Sequence, residues 1–389
     1  MTAPAPKPVE VSYVIASMIT GGTQTHLLQV FRFLDRSRFR PRLLALRDEG
    51  DLLGAARSMD VPVTTFGMHG SLRDPRDLAG LSRMVSELRS TSPDVIHGYL
   101  LRGNFYAAVA GRLAGVPVVV TSKRGLHEPS GRAERMAVAV SNRLSDTVTG
   151  NAPQVLEFTR RVEGKFPAPM TMIPSGIDIE RFSRASIPAD SGARLRAELG
   201  IGDAPVVGTA ITFRPRKGFR MLFEAMAELR RHVPDAHVII AGAGEMPPEP
   251  GELARQLGLE KVIHLLGRRA DMPQVLSAFD VFVLPSESEG MSNAILEAMA
   301  MELAVVVTAV GGAPEQVEEG ASGYLVDYPD HQAMAEHLRR LLTSPAVRAA
   351  IGQRARARVV QRYSARAMAA QIEDLYVRLL DGKRVRIAQ

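Results

Sequence analysis

Short apolar segments alternate with helical segments along almost the whole chain, and this alternation limits the fold more than any other feature. The apolar segments are nearly continuous, which is typical of parallel strands buried on both faces of a sheet. The pattern breaks into Ala, Ser, Pro, Asp and Gly over residues 184–200 and then restarts. The sequence therefore predicts an α/β fold of two doubly wound, Rossmann-like domains.

The pattern also predicts where each domain and strand lies. The first domain is expected over residues 1–185, the second over residues 186–364, and a final helix within residues 365–389 either closes the second domain or crosses back to the first. Ligands bind beyond the carboxyl ends of such strands, so we expect a cleft between the two facing domains. The predicted strands are Val9–Ala16, Arg42–Leu46, Val61–Phe66, Asp94–His97, Val116–Thr121, Thr147–Thr149 and Met170–Ile173, then Val206–Ala210, His237–Ala241, Val262–Leu265, Val281–Leu284, Val305–Thr308 and Tyr324–Val326.

Composition excludes several classes of protein. At 46% hydrophobic and 23% charged residues, the 389-residue chain is neither collagen-like nor disordered. Because it has no cysteine, it has no disulfide framework, thiolate metal site or cysteine nucleophile. The longest nearly uncharged apolar run, around Leu303 to Ala313, is shorter than the ~20 residues of a spanning helix. The Pro-rich start has no signal-peptide core, so we expect a cytoplasmic protein.

The positive charge lies in the first half of the chain. Residues 1–185 contain 24 basic and 17 acidic residues, whereas residues 186–389 contain 24 and 25. The densest basic run, Phe31–Arg42, interleaves Arg with Phe and Leu, which suits either peripheral contact with anionic lipid or a solvated helix end. No DNA-binding motif or aromatic RNA platform accompanies the charge, so nucleic acid is not an expected partner.

Two glycine-containing turns follow predicted strands. Gly21, Gly22 and Thr23 open a helix after the first strand, where backbone amides can bind a phosphate, although a plain tight turn fits equally well. Gly242 begins a turn that starts like a dinucleotide fingerprint, but Pro247 stands where its third glycine belongs. We therefore interpret the second turn as a border of the cleft, which argues against a nicotinamide dehydrogenase.

A basic turn in the second half could bind a diphosphate. Arg214, Arg216 and Lys217 put three cations within four residues, between a strand and a helix. Charge and donor hydrogen bonds at such a turn suit a diphosphate, while the alternative is a solvated basic turn.

Two glutamates frame the start of another helix. The strand that ends at Pro285 leads into a polar loop with Glu289, and a helix begins near Ser292, where free amides form an anion site. Glu289 could accept hydrogen bonds from sugar hydroxyls. Glu297 lies about 7–8 Å further along the chain within that helix, which suits a ribose diol. On spacing alone, two solvated glutamates are the simpler interpretation.

Known motifs surround this E-x7-E element in order along nearly the whole chain. They are Pro93-Asp94-Val95-Ile96-His97, Ala114-Gly115-Val116-Pro117-Val118, Ile173-Pro174-Ser175-Gly176-Ile177-Asp178, Pro215-Arg216-Lys217-Gly218, Gly242-Ala243-Gly244, Leu266-Gly267-Arg268, Phe279-Asp280-Val281-Phe282-Val283-Leu284-Pro285-Ser286, Ser288-Glu289-Gly290, Leu296-Glu297-Ala298-Met299-Ala300, Val310-Gly311-Gly312-Ala313-Pro314-Glu315 and Gly323-Tyr324-Leu325-Val326. The chain resembles the retaining GT-B glycosyltransferases of family 4 (glycosyl transferases group 1).

The resemblance implies a role for each matching residue. Glu289 would contact sugar hydroxyls near the reacting carbon, Glu297 would hold the ribose, and Lys217 would neutralise the leaving phosphate. The remaining donor-binding positions would surround the diphosphate or lie near the base; they are Gly21, Gly22, Thr23, Arg214, Arg216, Gly242, Gly267, Arg268, Gly290, Met291 and Ser292.

The chain departs from the family pattern at two places. Family members usually have an Arg five residues before the Lys, and here that position is Thr212, so Arg214 or Arg216 would have to replace the missing cation. Many members also place a His after the fifth strand, where Lys123, Arg124 and His127 are the nearest matches. For His97, at a strand's carboxyl end, lining of the cleft and a place in the core both remain open.

The resemblance implies transfer of a sugar from a nucleoside diphosphate, with UDP favoured and GDP an alternative, to a glycan, lipid-linked or small-molecule acceptor, with retention. A diphosphate is a good leaving group, so cations and helix N-termini suffice, and we expect neither a metal nor a cofactor. Accordingly, the chain has no Asp-x-Asp and no His-Glu-x-x-His motif. The rival functions are a nucleotide-sugar 2-epimerase, a glycosidase, which lacks a convincing second carboxylate, and an inactive nucleotide-sugar-binding module.

Overall fold

The computed structural model describes residues 7–69 and 74–388, and the chain divides into two compact units. The first unit comprises Met1–Gly176 together with Ala365–Gln389, and the second comprises Ile177–Ser364. The first six residues of the Pro-rich start lie outside the described residues. The boundary comes earlier than residue 185 because Ile177 forms a bridge with Ser364 and Phe182 is buried in the core of the second unit.

The first unit is built on a seven-stranded parallel sheet with the order β3-β2-β1-β4-β5-β6-β7. The strands are β1 Val9–Ile15, β2 Phe39–Ala45, β3 Val63–Thr65, β4 Val95–Tyr99, β5 Val118–Lys123, β6 Thr147–Gly150 and β7 Met170–Met172. Its helices are α1 Gly22–Phe33, α2 Leu53–Arg57, α3 Pro75–Thr91, α4 Leu100–Ala114, α5 Arg132–Leu144, α6 Pro153–Glu163 and, after the second unit, α15 Ala365–Ala388. Separate apolar clusters cover the two faces of this sheet, so the unit is doubly wound as predicted.

The second unit has a six-stranded parallel sheet with the order β10-β9-β8-β11-β12-β13. The strands are β8 Val206–Ala210, β9 His237–Ala241, β10 Ile263–Gly267, β11 Val281–Leu284, β12 Ala304–Thr308 and β13 Gly323–Val326. The helices are α7 Ser191–Glu198, α8 Phe219–Arg230, α9 Pro248–Gln256, α10 Met272–Ser277, α11 Asn293–Ala300, α12 Ala313–Gln316, α13 His331–Thr343 and α14 Pro345–Arg362, with a short 3₁₀ turn at Arg184–Ser186. One continuous apolar core fills this unit.

Helix α15 packs on the first unit. Its buried residues Met368, Ile372, Leu375 and Tyr376 join the apolar cluster that α1 and the sheet also form. The sequence left open whether the last helix closes the second domain or crosses back to the first. In the structure it crosses back to the first.

The basic run Phe31–Arg42 spans the end of α1 and the start of β2. Of its Phe and Leu side chains, Phe31, Leu34 and Phe39 are buried in the core and cannot insert into a membrane, whereas Phe33 is partly exposed. Three of its arginines form ion pairs, namely Arg38 with Glu373 at 3.5 Å, Arg40 with Glu10 at 3.6 Å and Arg42 with Glu87 at 3.2 Å. These contacts fit a solvated helix end better than a lipid-binding segment. Across the described ranges, no helix combines the length and apolarity that crossing a bilayer requires.

Candidate donor-binding site

The sheet of the second unit changes its winding direction between β8 and β11, which are neighbouring parallel strands. A crevice opens beyond the carboxyl ends of strands at such a point and is where open α/β sheets bind ligands. The loop after β8 carries Lys217 and the loop after β11 carries Glu289. The fold therefore brings two of the predicted site residues, 72 positions apart, to the same edge.

Lys217, Ser286 and Glu289 form a tight cluster at this edge. The Lys217 Nζ donates to Glu289 Oε1 at 2.5 Å, and the Ser286 hydroxyl donates to the same oxygen at 2.7 Å. Both charged side chains are largely shielded, with 23% of Lys217 and 15% of Glu289 exposed. Within the described parts of the chain, the other carboxylate oxygen, Oε2, accepts no hydrogen bond. Glu289 is thus held by one oxygen and has the second available for a ligand.

A glycine brings the two loops together. Gly218 precedes α8 with φ of +70°, a conformation that side chains disfavour, and a Cβ there would lie 1.8 Å from the carbonyl oxygen of Pro285. Next to it, the Glu287 N–H donates to the Arg216 carbonyl at 2.9 Å. The basic turn therefore lies directly against the end of β11.

The Glu289 loop is also held from the other side. Gly311 has φ of +61°, and a Cβ on it would lie 2.2 Å from the Glu289 carbonyl oxygen. The Gly312 N–H donates to the Gly290 carbonyl at 2.6 Å, and the Thr308 hydroxyl donates to the Ser286 carbonyl at 2.5 Å. These contacts fix the backbone that positions the Glu289 carboxylate.

The start of α11 is less open than the sequence predicts. Ser292 caps the helix by accepting from the Ile295 N–H at 3.5 Å, but its own N–H donates to Gln316 Oε1 at 3.2 Å. Gln316 Nε2 in turn donates to the Ser292 carbonyl at 2.7 Å, and Met291 is buried. The prediction that the Ser292 amide faces a diphosphate therefore does not fit this structure, because a buried glutamine that the sequence analysis missed already occupies that amide.

Glu297 is partly buried in the second turn of α11. Loss of solvation raises the pKa of its carboxyl group from 4.5 to about 7, and the Arg181 guanidinium opposes this shift. Arg181 donates to the Ala270 carbonyl at 3.0 Å and stacks on the ring of Phe182. Arg181 lies 116 residues before Glu297 in the chain, so the sequence gives no sign that its charge acts on Glu297.

The turns after β9 and β10 lie side by side. The Gly242 N–H donates to the Gly267 carbonyl at 2.8 Å, and a Cβ on Gly242 would lie 1.7 Å from the carbonyl oxygen of Ile211. Gly267 has φ of +62°, and the exposed Arg268 follows it. Gly242 is thus needed for the close approach of the backbone, and Gly267 for its positive φ, at the same strand edge as Lys217.

The two arginines of the basic turn differ in their contacts. The Arg216 side chain pairs with Glu287 at 3.3 Å. Arg214 is exposed, and its guanidinium has no partner in the described ranges. Arg214 is therefore the better candidate for the cation that is missing at Thr212.

The predicted glycine loop of the first unit is at the start of α1. Gly21 caps this helix in an extended conformation, and a Cβ there would meet only the flexible end of Gln24. Gly22 is exposed and Thr23 is partly exposed. The helix start is where the sequence places it, and phosphate binding by its amides stays a prediction.

Other first-unit candidates are already engaged. His97 is 1% exposed, and its ring nitrogens bond to the Tyr376 hydroxyl at 2.6 Å and the Ser122 hydroxyl at 2.7 Å. Burial, with a smaller effect of the Arg124 charge, lowers its pKa to about 3. The expectation that His97 lines a cleft is therefore wrong, and its place in the core is right.

Lys123 and His127 also contact carboxylates. Lys123 Nζ forms a buried ion pair with Glu163 at 2.7 Å. The exposed His127 lies 3.4 Å from Glu134. Neither side chain offers an unopposed charge to a ligand.

The described residues contain no group of three or more His, Asp or Glu side chains placed to hold a metal ion. The expectation of a metal-independent reaction stays a prediction.

Comparison with known proteins decides the family. Residues 193–358 match the family described as glycosyl transferases group 1, and residues 20–181 match glycosyltransferase family 4. A GDP-mannose-dependent α-(1-6)-phosphatidylinositol monomannoside mannosyltransferase of Mycolicibacterium smegmatis is 32% identical over 70% of this chain and 72% of its own. The chain belongs to the group 1, family 4 glycosyltransferases.

More distant relatives extend the match to nearly the full length. An Escherichia coli UDP-Gal:α-D-GlcNAc-diphosphoundecaprenol α-1,3-galactosyltransferase is 26% identical over 96% of this chain and 98% of its own. The crystal structure of Anabaena HepE in complex with UDP and glucose superimposes with a TM-score of 0.83, at 23% identity, over 94% of this chain and 99% of HepE. The predicted GT-B fold and the resemblance drawn from the motifs are confirmed, and the chain is a glycosyltransferase.

Proposed function

We propose that this glycosyltransferase moves a hexosyl group from a nucleoside diphosphate sugar to a glycan, lipid-linked or small-molecule acceptor, with retention and without a metal. The observation that carries the proposal is the Lys217–Glu289 pair, which leaves one carboxylate oxygen available at the winding switch of the second sheet. The relatives support a nucleotide sugar, since their names specify GDP-mannose and UDP-galactose. We favour a UDP-sugar, with a GDP-sugar as the alternative.

Lys217 and Glu289 would have different roles in the reaction. An ammonium group has three donors, so Lys217 can keep its bond to Glu289 and still donate to a phosphate oxygen. Its charge would stabilise the diphosphate as the bond between the anomeric carbon and the phosphate oxygen breaks. Glu289 Oε2 would accept from a sugar hydroxyl and so orient the ring. The acceptor oxygen would bond to the anomeric carbon on the face the diphosphate leaves, passing its proton to a phosphate oxygen.

Glu297 would hold the ribose of the donor. A ribose diol can donate two hydrogen bonds to one carboxylate, and these bonds favour the ionised form. Nucleotide binding would therefore lower the raised pKa of Glu297. This linkage makes nucleotide binding depend on pH.

Radiolabelled UDP- and GDP-sugars, each incubated with a polyprenyl-phosphate or saccharide acceptor, test the proposal. A transferase produces a new glycoside, whereas an epimerase converts the donor and an inactive module does neither. We expect Lys217→Ala to lower kcat by about 10²–10³-fold, the range found on removing one charge-stabilising donor. Lys261→Ala, at an exposed lysine of the same unit, is the control. Unchanged turnover in Lys217→Ala and Glu289→Gln, or a requirement for divalent metal, would contradict the proposal.

We further propose that the enzyme acts in the cytoplasm with peripheral contact to the inner face of the membrane. The basic excess of residues 1–185 and the lipid-linked substrates named for the relatives support this location. Anionic liposomes should retain the protein at low salt and release it as ionic strength rises. Retention that salt does not weaken, or no retention, would count against it.

A further inference from the structure

One arginine at the carboxyl edge of the first sheet lacks a counter-charge. Arg124 directly follows β5, and its guanidinium donates to the Ser175 hydroxyl at 2.9 Å. Its Nε–H is buried and has no hydrogen-bond partner. Within the described ranges no carboxylate pairs with it, whereas the adjacent Lys123 is fully paired with Glu163.

The surroundings do not favour a positive charge there. Burial lowers the pKa of Arg124 to about 10, with Tyr99 opposing the shift. A buried charge without an opposite charge costs several kcal/mol in a folded protein. Such an arrangement persists where a ligand supplies the missing charge, which makes Arg124 a candidate anion-binding residue.

A second unsatisfied group lies at the same edge of the sheet as this arginine. His26, on α1, is 2% exposed, and its Nδ1 is buried without a partner. Its ring lies 5.7 Å from that of Tyr99. Tyr99 ends β4 and pairs in register with Ser122, two residues before Arg124, so His26 and Arg124 lie at the same edge of the sheet. Burial is the main cause of the lowered pKa of His26, and the Arg124 charge is the next. A neutral imidazole with an unused nitrogen can donate one hydrogen bond to an oxyanion.

We propose that Arg124, His26 and Ser175 form a binding site for one phosphate group of a substrate. The planar guanidinium would donate two parallel bonds to phosphate oxygens, including one from the unpartnered Nε–H, and His26 would donate a third. Arg124 remains partly exposed, so a ligand can reach it. Only the assignment of this phosphate to a substrate rests on the proposed function. Either an acceptor phosphate or the donor diphosphate provides this chemistry.

Calorimetric titration of the full chain distinguishes the two sources. Inorganic phosphate is titrated alone and at saturating UDP, and UDP is titrated separately, with wild type, Arg124→Met and the exposed control Arg57→Met. Phosphate binding that survives UDP but weakens at least about 10-fold in Arg124→Met identifies an acceptor phosphate. Phosphate binding that UDP abolishes, with UDP itself weakened at least about 10-fold in Arg124→Met, identifies the donor diphosphate. Affinities within twofold of wild type for both ligands would overturn the proposal.

Thermal unfolding separates a binding role from a structural one. If the charge of Arg124 serves a ligand, Arg124→Met should raise the Tm of the ligand-free protein and lose the Tm increase caused by phosphate. A lower Tm with the phosphate response retained would overturn the proposal. Should Arg124→Met fail to fold, Ser175→Ala should still weaken phosphate binding, and unchanged binding there would equally overturn it. None of these outcomes depends on the turnover of Lys217→Ala. The phosphate site and the proposed glycosyl transfer can therefore be disproved independently of each other.

Discussion

At the residue scale, Glu297 combines a raised pKa with a proposed role that needs the ionised carboxylate. Its folded pKa of about 7 exceeds the ordinary 4.5, so the native state holds a proton that the unfolded chain has released between these values. Its stabilising contribution is therefore complete below pH 4.5 and is lost as the pH rises to about 7. The shift corresponds to roughly 3 kcal/mol, at 1.36 kcal/mol per pKa unit.

We expect the free energy of unfolding, measured with urea at pH 5 and pH 8, to fall more steeply for wild type than for Glu297→Gln. Nucleotide affinity should instead rise with pH in wild type, because the ribose needs the ionised carboxylate. Glu297→Gln is the control, because it keeps the pH effects of all other titrating groups and of the nucleotide phosphates. Identical pH profiles in both proteins would contradict this account.

The two exposed arginines of the basic turn lead to a second prediction at this scale. Arg216 already pairs with Glu287, whereas the Arg214 guanidinium has no partner in the described ranges. If one of them replaces the cation missing at Thr212, Arg214→Ala should slow donor hydrolysis about 10-fold or more, since charged hydrogen bonds contribute about 1.5–3 kcal/mol. Arg216→Ala should have a smaller effect. Initial rates of hydrolysis of the favoured donor distinguish the two arginines. If neither variant loses activity, neither arginine replaces the cation missing at Thr212.

At the element scale, the strands were predictable because each is a nearly continuous apolar run. All thirteen predicted strands are present, within three residues of their observed ends. The largest difference is at β2, which begins at Phe39 because it pairs with β1 from Val9 onward, while alternating arginines hide this start in the sequence. Helix α4 gave no clear helical pattern because it packs against β1, β4 and β5 as well as α3 and α5, so most of its faces are apolar.

The loops of the site were predictable, but their contacts were not. Parallel strands bring their carboxyl ends to one edge, so the positions of Lys217 and Glu289 followed from the alternation. The effect of the Arg181 charge on Glu297 and the hydrogen bonds between Ser292 and Gln316 depend on chain segments distant in sequence, and short polar motifs do not encode such contacts.

Gly218 allows a direct test of how these elements are joined. Gly218→Ala combines φ of +70° with a Cβ 1.8 Å from the Pro285 carbonyl, so the basic turn must shift away from β11. Gly200→Ala is the matched control, since Gly200 has φ of +68° but nothing within 4 Å. In the control, backbone strain alone should lower the free energy of unfolding, by about 1–2 kcal/mol. Gly218→Ala should lose more stability in urea and also bind nucleotide less tightly; equal losses in the two variants would contradict the proposed contact.

At the scale of the whole molecule, the domain boundaries depend on tertiary contacts that periodicity does not contain. Helix α15 belongs to the first unit because its apolar face completes the core there and its Tyr376 hydroxyl forms a hydrogen bond with His97 Nδ1. The boundary predicted at residue 185 lies instead after Gly176, because Ile177 and Phe182 are buried in the core of the second unit. Each unit has its own buried core, so a change in one core is expected to affect mainly the unfolding of that unit.

A pair of tyrosine variants tests this separation. Tyr376→Phe removes the hydroxyl that bonds to buried His97 and donates to Tyr13 in the first unit, and Tyr363→Phe removes the donor to the Glu315 carbonyl in the second. Each change should cost about 1–3 kcal/mol, because it leaves a buried polar group without its partner. In differential scanning calorimetry, Tyr376→Phe should lower one transition and Tyr363→Phe the other, and nucleoside diphosphate should raise mainly the transition that Tyr363→Phe lowers. If both variants shift both transitions equally, the two cores unfold as one, and the division of the chain at Gly176 and Ala365 has no thermodynamic counterpart.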